Sequence, residues 1–280
     1  MEQAAVLSGW IALALLIGAT VLYAYQFVTK RAAFSWWARF LTGAGFLTLT
    51  ASIGLRSRVT GGTVLTGPYN TIVLLGWALL LVYFVVEHLI KIKTYGTFLV
   101  PAAVGLLIIA QFLSGATPKG LSAEELSLLD SWRVGIHVAL ITFANAGFAI
   151  GGAASLLYII QDSQLKQHKT TVLFRRLPSL AKTQTLARRP IVLGFPLYTA
   201  GMLLGMIRAI ETDVQGWWAD PRIMMSGVVW LCFCAYLVLL YRHGASRRTT
   251  SYIAVAGLVF VIVLAVIARM LPVGFHVFAL

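Results

Sequence analysis

The stretch WRVGIHVALITFANAGFAIGGAASLLYII, residues 132–160, contains a single charged side chain, Arg133. A helix that crosses the ~30 Å hydrocarbon core of a bilayer needs roughly 20 apolar residues, and all its backbone polar groups bond within the segment. Residues 132–160 are therefore long enough to span a membrane and also to tilt or to project from it. This stretch predicts that lipid is the solvent around the protein.

The rest of the chain has the same character. Of its 280 residues, 59% are hydrophobic and 11% are charged, too few charges to cover a globular surface. We predict an all-α fold, a polytopic membrane helical bundle with about eight transmembrane helices. The predicted spans are 5–28, 36–55, 69–90, 97–114, 132–160, 190–210, 222–241 and 251–270. No connecting segment is longer than the one from Asp162 to Arg189, so residues 1–280 are predicted to form a single integral membrane domain.

The distribution of basic residues predicts the orientation, because the loops of membrane proteins that carry Lys and Arg face the cytoplasm. The loops after spans one, three, five and seven hold 15 of the 22 Lys and Arg residues, against two acidic residues, Glu87 and Asp162. On the opposite side seven basic residues meet seven acidic ones. The whole net charge of +13 thus lies on one side. We predict that this side is cytoplasmic, that both termini lie outside, and that the charge reflects orientation rather than nucleic-acid binding.

Two of the five histidines fall on the predicted outer side. His137 lies near the start of the fifth span, and His276 follows the eighth span. A single histidine near a helix end is usually an interfacial residue. Two at the ends of different spans on one side form a candidate pair of ligands for one metal ion.

The outer loop between the sixth and seventh spans, IETDVQGWWADPRIMM, is rich in aromatic and acidic residues. Trp217, Trp218 and Asp220 cluster within it. An aromatic belt at the membrane surface explains a tryptophan pair with no ligand at all. The alternative is a platform for a flat aromatic ligand, since indole rings offer large faces for stacking.

Arginines near the outer ends of the spans are candidates for pairing with the carboxylates of an anionic ligand. Arg208 and Arg222 flank the tryptophan loop, and Arg133 and Arg269 lie at the ends of two other spans. A planar, dianionic ligand that contains a metal would use histidines, indoles and arginines together. Heme b is the candidate cofactor, with His137 and His276 as ligands of its iron.

Small residues predict close packing of two spans. Gly147 and Gly151 lie four residues apart in the fifth span, and Gly201 and Gly205 lie four apart in the sixth. This spacing lets two helix backbones approach each other closely in a membrane.

Several stretches resemble one known family, the CcsA-type cytochrome c assembly proteins, which handle heme through a tryptophan-rich external loop. The resemblance covers about residues 68–280. It is carried by GPYNTIVLLGW, YGTFLVPAA, IHVALITFANAGFAIGGAASLL, GFPLYTAGMLLGMIRA, GWWADPRIMMSGVVW and the final GFH. Within the loop, the Asp-Pro-basic step, a serine six residues after the aspartate and a tryptophan ten residues after it are similar to the family's signature.

The resemblance implies roles for individual residues. Trp217, Trp218, Asp220 and Pro221 correspond to the loop signature. His137 and His276 correspond to the external histidines that ligate heme iron in the family.

The loop also departs from the family pattern. Ala219 stands where the family has tryptophan, Ile223 where it has glutamate, and Met225 where it has an aromatic residue. Tyr83 occupies roughly the place of an internal histidine of the larger members. In size and in this eroded loop, the chain is most similar to HemX-like and YpjD-like members.

The resemblance implies a multi-pass protein of the bacterial cytoplasmic (inner) membrane that presents heme on the external face in cytochrome c biogenesis, with no catalysis by this chain alone. The implied partners are heme, an apocytochrome c or a second membrane assembly subunit, and membrane lipid. HemX-like relatives imply an alternative, a non-enzymatic regulator of heme biosynthesis that acts on a cytosolic enzyme. A small-solute transporter is disfavoured, because no acidic residue lies near a span centre.

Overall fold

A computed structural model of the chain describes residues 1–29, 31–59, 67–90, 95–113, 131–168, 177–212, 216–242 and 245–270. Within these residues the chain forms eight α-helices and no strand, which confirms the predicted all-α bundle. Seven of the helices are long and apolar enough to cross a membrane, and the fourth is a shorter apolar helix of 17 residues. The protein is therefore a multi-pass membrane protein.

The helices fall into two compact units, Met1–Lys119 and Gly120–Leu280. Unit 1 contains α1 (Glu2–Thr29), α2 (Ala32–Val59), α3 (Pro68–Ile90) and α4 (Gly96–Phe112). Unit 2 contains α5 (Trp132–Lys166), α6 (Leu180–Glu211), a short 3₁₀ turn (Trp217–Ala219), α7 (Pro221–Tyr241) and α8 (Arg247–Met270).

Each unit follows the same packing plan. In unit 1 the first helix packs against the second and the fourth, and the third packs against the fourth. In unit 2, α5 packs against α6 and α8 in the same way, and α7 packs against α8. Two successive groups of four helices thus repeat one arrangement in one chain order.

The third helices of the two units also share residues at matching positions. Each begins with proline, and each has tryptophan as its tenth residue and tyrosine as its sixteenth. Both tryptophans donate an indole hydrogen bond to a threonine of the preceding helix: Trp77 to Thr50 at 2.8 Å, and Trp230 to Thr199 at 2.9 Å. The two tyrosines are buried in their own units. These residues form a common framework for both units.

The interface between α5 and α6 confirms the close packing that the glycine pairs predict. A Cβ atom at Gly147 would lie 2.8 Å from the carbonyl oxygen of Pro190, and one at Gly151 would lie 2.8 Å from that of Ala187. The backbones of the two helices therefore touch, and nothing larger than glycine fits at either position. This contact holds the two helices in a fixed register.

Both helices of this pair extend further than the sequence predicts. α5 continues six residues beyond 160, and α6 begins ten residues before 190. Pro190 lies inside α6, where a membrane helix tolerates proline because its neighbours satisfy the freed backbone groups. The segment that leads into α6 is held on α5, where the Gln161 amide donates to the Pro178 carbonyl at 3.0 Å. Packing along α5 thus makes helical a segment whose charges suggest a loop.

Candidate functional site

Most of the predicted site residues lie at one end of unit 2, which we call the His137 end. It comprises the first turns of α5, the last turns of α6, the 3₁₀ turn and the first turn of α7. Arg133 near the start of α5 contacts Glu211 at the end of α6, which places these two helix ends side by side.

His137 lies against two glycines of α6. Its Nδ1–H donates to the backbone carbonyl of Gly201 at 2.7 Å. One turn further along, a Cβ atom at Gly205 would lie 2.7 Å from Cε1 of the imidazole. The ring therefore occupies a slot that exists because α6 has no side chain there.

The hydrogen bond to Gly201 fixes the tautomer of His137. A carbonyl oxygen only accepts hydrogen bonds, so Nδ1 carries the proton. In the neutral imidazole the lone pair is then on Nε2, which is the usual arrangement of a metal-ligating histidine whose other nitrogen donates to a backbone carbonyl. A neutral imidazole with its proton on Nδ1 carries on Nε2 the lone pair that can ligate a metal ion.

Two of the predicted anion-binding arginines converge on an acidic residue of the chain. Arg133 Nη1 lies 2.6 Å from both carboxylate oxygens of Glu211, and Arg208 Nη1 lies 4.0 Å from one of them. Glu211 is not among the site residues that the sequence predicts. Its spacing of three residues from Arg208 predicts that pair on one helix face, whereas the pairing with Arg133 depends on the packing of α5 against α6.

Trp217 and Trp218 form the 3₁₀ turn that leads into α7. Gly216, with a φ of +71°, begins the turn in the left-handed region that favours glycine. The two indole rings have their centroids 6.1 Å apart and are inclined at 79°. In this arrangement they cannot both lay their faces on one flat ligand. One ring can stack on it, and the other would meet it through its edge.

Asp220 begins α7. Its side chain is buried, and Oδ1 accepts a hydrogen bond from the backbone N–H of Arg222 at 2.7 Å. Pro221 is the first residue of the helix, where the missing N–H costs nothing. The Asp-Pro-basic step of the sequence is thus an N-cap that fixes the position of the tryptophan turn, and Arg222 is buried beside it.

Replacement of Asp220 by alanine should therefore destabilise the start of α7. We expect a loss of about 1–2 kcal/mol in the free energy of unfolding, the usual effect of removing an N-cap side chain. Thermal unfolding of the detergent-solubilised protein measures it. Asp220→Asn, which keeps a capping oxygen, is the control and should lose less. Equal melting temperatures for Asp220→Ala and the wild type would contradict the capping role.

Two predicted residues lie wholly or in part outside the described residues. His276, the second predicted iron ligand, lies in 271–280, outside the described residues. The side chain of Arg269 also lies outside them. Tyr83, the predicted counterpart of an internal histidine, lies in unit 1, where its hydroxyl donates to Glu87 at 2.7 Å and pairs with the Tyr23 hydroxyl at 2.7 Å.

The residues of the His137 end fit a heme group. His137 has the ligating tautomer, Trp218 is 63% exposed and available for stacking, and Arg133 holds a carboxylate in the way that it would hold a propionate. The donor set of one imidazole, indoles and arginines suits an anionic porphyrin better than it suits a bare metal ion.

Comparisons with a family model and with curated proteins point to the same family. The model of the family described as Cytochrome C assembly protein matches residues 65–276. A cytochrome c biogenesis protein CcsA from Prochlorococcus marinus (strain MIT 9303) is 27% identical over 255 residues, covering 82% of this chain and 80% of that protein. The proteins of the same name from Synechococcus sp. strains CC9605 and CC9902 are 27% and 28% identical over 262 residues, covering 85% of each chain. The family match covers well over half of the chain, which therefore belongs to the cytochrome c assembly protein family.

Proposed function

We propose that this protein binds heme b at the His137 end of unit 2 and presents it to a partner during cytochrome c biogenesis. The observation that carries the proposal is the hydrogen bond from His137 Nδ1 to the Gly201 carbonyl, because it leaves the lone pair on Nε2. A neutral imidazole in this tautomer can ligate iron through Nε2.

Each residue of the site has a role in this proposal. His137 ligates the iron, with His276 as the second ligand. Trp217 and Trp218 contact the porphyrin, one by its face and one by its edge, and Asp220 holds their turn at the start of α7.

Three arginines supply positive charge for the two propionates of heme. Arg133 and Arg208 already contact the carboxylate of Glu211, and Arg222 lies beside the tryptophan turn. A propionate would compete with Glu211 for the first two. Heme itself supplies the iron and the vinyl groups that become attached to a cytochrome.

A partner is required because this chain has no Cys-x-x-Cys-His sequence to receive the heme. Its two cysteines, Cys232 and Cys234, lie within α7. The acceptor is an apocytochrome c, which brings its own cysteines, or a second membrane subunit that holds the apocytochrome beside the His137 end.

The proposal is tested by heme titration of the purified protein. We expect a Soret band that saturates at one heme per chain. Saturation at one heme supports the site, and a spectrum that remains that of free heme would overturn it.

The proposal also requires that the His137 end faces outside. Single cysteines are introduced at Ser131 and, at the opposite end of the α5–α6 pair, at Ser163, after both native cysteines have been replaced by alanine. We expect an impermeant maleimide to label position 131, and not 163, in intact cells. Labelling of 163 alone would place the His137 end in the cytosol and would contradict presentation outside.

A second function is favoured by the length of α5 and α6. The Arg188 guanidinium stacks on the ring of Tyr241 at the end of α7, so the part of α6 before Arg188 extends past that end together with the end of α5. This projecting pair carries Lys166 and Lys182. We propose it as the contact for a cytosolic enzyme of heme biosynthesis, as in a HemX-like regulator.

Charge reversal distinguishes the two functions. Lys166→Glu together with Lys182→Glu should abolish recovery of the cytosolic enzyme in a pull-down while leaving the heme spectrum unchanged. His137→Ala should do the reverse. Recovery of the enzyme by the charge-reversed protein at the wild-type level would exclude the regulatory contact.

A further inference from the structure

We propose that Gly205 and the carbonyl of Gly201 are positioning residues that hold His137 with Nδ1 turned to α6 and Nε2 as the ring nitrogen farther from it, as a single preset iron ligand. This inference rests on the proposed function, because it assigns the part of α6 that prepares the heme-binding histidine. The glycine spacing itself indicates only helix packing. In this structure, however, the two glycines contact the His137 imidazole and Ile141, the next residue on the same face of α5.

The two glycines receive two successive side chains of α5. A Cβ atom at Gly201 would lie 2.9 Å from Cδ1 of Ile141, and one at Gly205 would lie 2.7 Å from Cε1 of His137. His137 and Ile141 are four residues apart and lie one above the other on α5. The Ile141 side chain fixes the register of α5 against α6. The His137 imidazole occupies the neighbouring slot, nearer the start of α5.

The distances at Gly205 also define how the ring is oriented. The added Cβ atom would lie 2.9 Å from Nδ1 but 3.6 Å from Nε2. The Cε1–Nδ1 edge therefore faces α6, and Nε2 is the more distant ring nitrogen. A methyl group at 205 would press against the ring edge that donates to Gly201. It would therefore break this hydrogen bond and also rotate the imidazole.

The Gly201 carbonyl also has an electronic effect on the imidazole of His137. Donation from Nδ1 to a carbonyl increases the basicity of the opposite nitrogen and strengthens its bond to a metal ion. A stronger imidazole donor favours the oxidised iron. We therefore expect the variant that loses this bond to have a higher heme reduction potential than the wild type.

The test compares Gly205→Ala with Gly194→Ala, which adds the same methyl group at the same helix interface. At Gly194 the nearest atom to an added Cβ is the carbonyl oxygen of Ala144 at 3.2 Å, and His137 is not among its neighbours. In redox titrations followed by the heme spectrum, Gly205→Ala should shift the potential upward and weaken the low-spin bands. Gly194→Ala should leave both unchanged. Equal spectra and potentials for Gly205→Ala and wild type overturn the positioning role.

Chemical rescue separates this inference from the proposed function. His137→Gly empties the slot, and free imidazole should restore the low-spin spectrum by occupying it. In the double variant His137→Gly, Gly205→Ala, imidazole should bind at least about tenfold more weakly, because a methyl group fills the slot. Identical imidazole affinities overturn the role of Gly205. A His137→Gly protein whose heme spectrum equals that of the wild type overturns heme ligation itself.

A measurement on the heme-free protein tests the inference even if a variant folds poorly. In protein labelled with ¹⁵N-histidine, the His137 signals are identified by their loss in His137→Gln. We expect the tautomer with the proton on Nδ1 in the wild type and in Gly194→Ala, and its loss in Gly205→Ala. A wild-type protein with the proton on Nε2 overturns the inference whatever the stability of the variants.

Discussion

His137→Ala is expected to abolish high-affinity heme binding. The substitution removes the proposed iron ligand, whose Nδ1 donates to the Gly201 carbonyl. Loss of an outer-shell partner alone typically costs 10–100-fold in metal affinity, so loss of the ligand itself should weaken heme binding by more than about 100-fold. The measurement is the titration of purified protein with heme, followed in the Soret region.

His88→Ala is the control for this experiment. His88 is an exposed histidine of α3 in unit 1. Its removal should leave the heme affinity within about twofold of wild type, which is the spread of an ordinary surface substitution. If both variants bind heme as the wild type does, His137 is not an axial ligand.

Gly147→Val is expected to have the largest effect on stability. The added Cβ atom would lie 2.8 Å from the carbonyl oxygen of Pro190 and 3.7 Å from Cα of Gly194. These are backbone atoms, which cannot rotate away as a side chain can. The helices must separate, and we expect a loss of about 3 kcal/mol or more in the free energy of unfolding, the upper end of the range for overpacking. Unfolding followed by size-exclusion chromatography after heating measures the change.

Gly135 provides the matched control on the same helix. No atom lies within 4 Å of a Cβ atom added at Gly135, so Gly135→Val inserts the same side chain into open space. Its melting temperature should stay within a few degrees of wild type, because a change of 1 kcal/mol shifts it by about 2–4 °C in a protein of this size class. Equal melting temperatures for the two variants would show that the α5–α6 contact does not limit stability.

The helices could be predicted well from the sequence, because apolar length alone decides which segments lipid accepts. The largest departure is the start of α6. Its first turns contain Lys182, Arg188 and Arg189, and charges of this kind also mark loops. The segment is helical because it packs along α5, and that contact joins residues that are distant in the chain.

The site could be predicted in part. The type of residue and its place near a helix end pointed to His137, Arg133 and the tryptophan turn. The role that we propose for Gly205 could not be predicted in this way, because two glycines have the same spacing whether they receive another helix or an imidazole. The pairing of Glu211 with Arg133 likewise requires two helix ends to be placed side by side.

The recurrence of proline, tryptophan and tyrosine in α3 and α7 gives the chain an internal standard of comparison. Where the two helices agree, the residue serves an architecture that both halves need. Where they differ, the requirement is local: Gly67 precedes the first of these helices and Asp220 the second, and Tyr69 in one corresponds to Arg222 in the other. Exchanging the residues at these matching positions would show by experiment which of them serve the common architecture and which serve one half alone. Each substitution would introduce a residue that the other half already accommodates at that position.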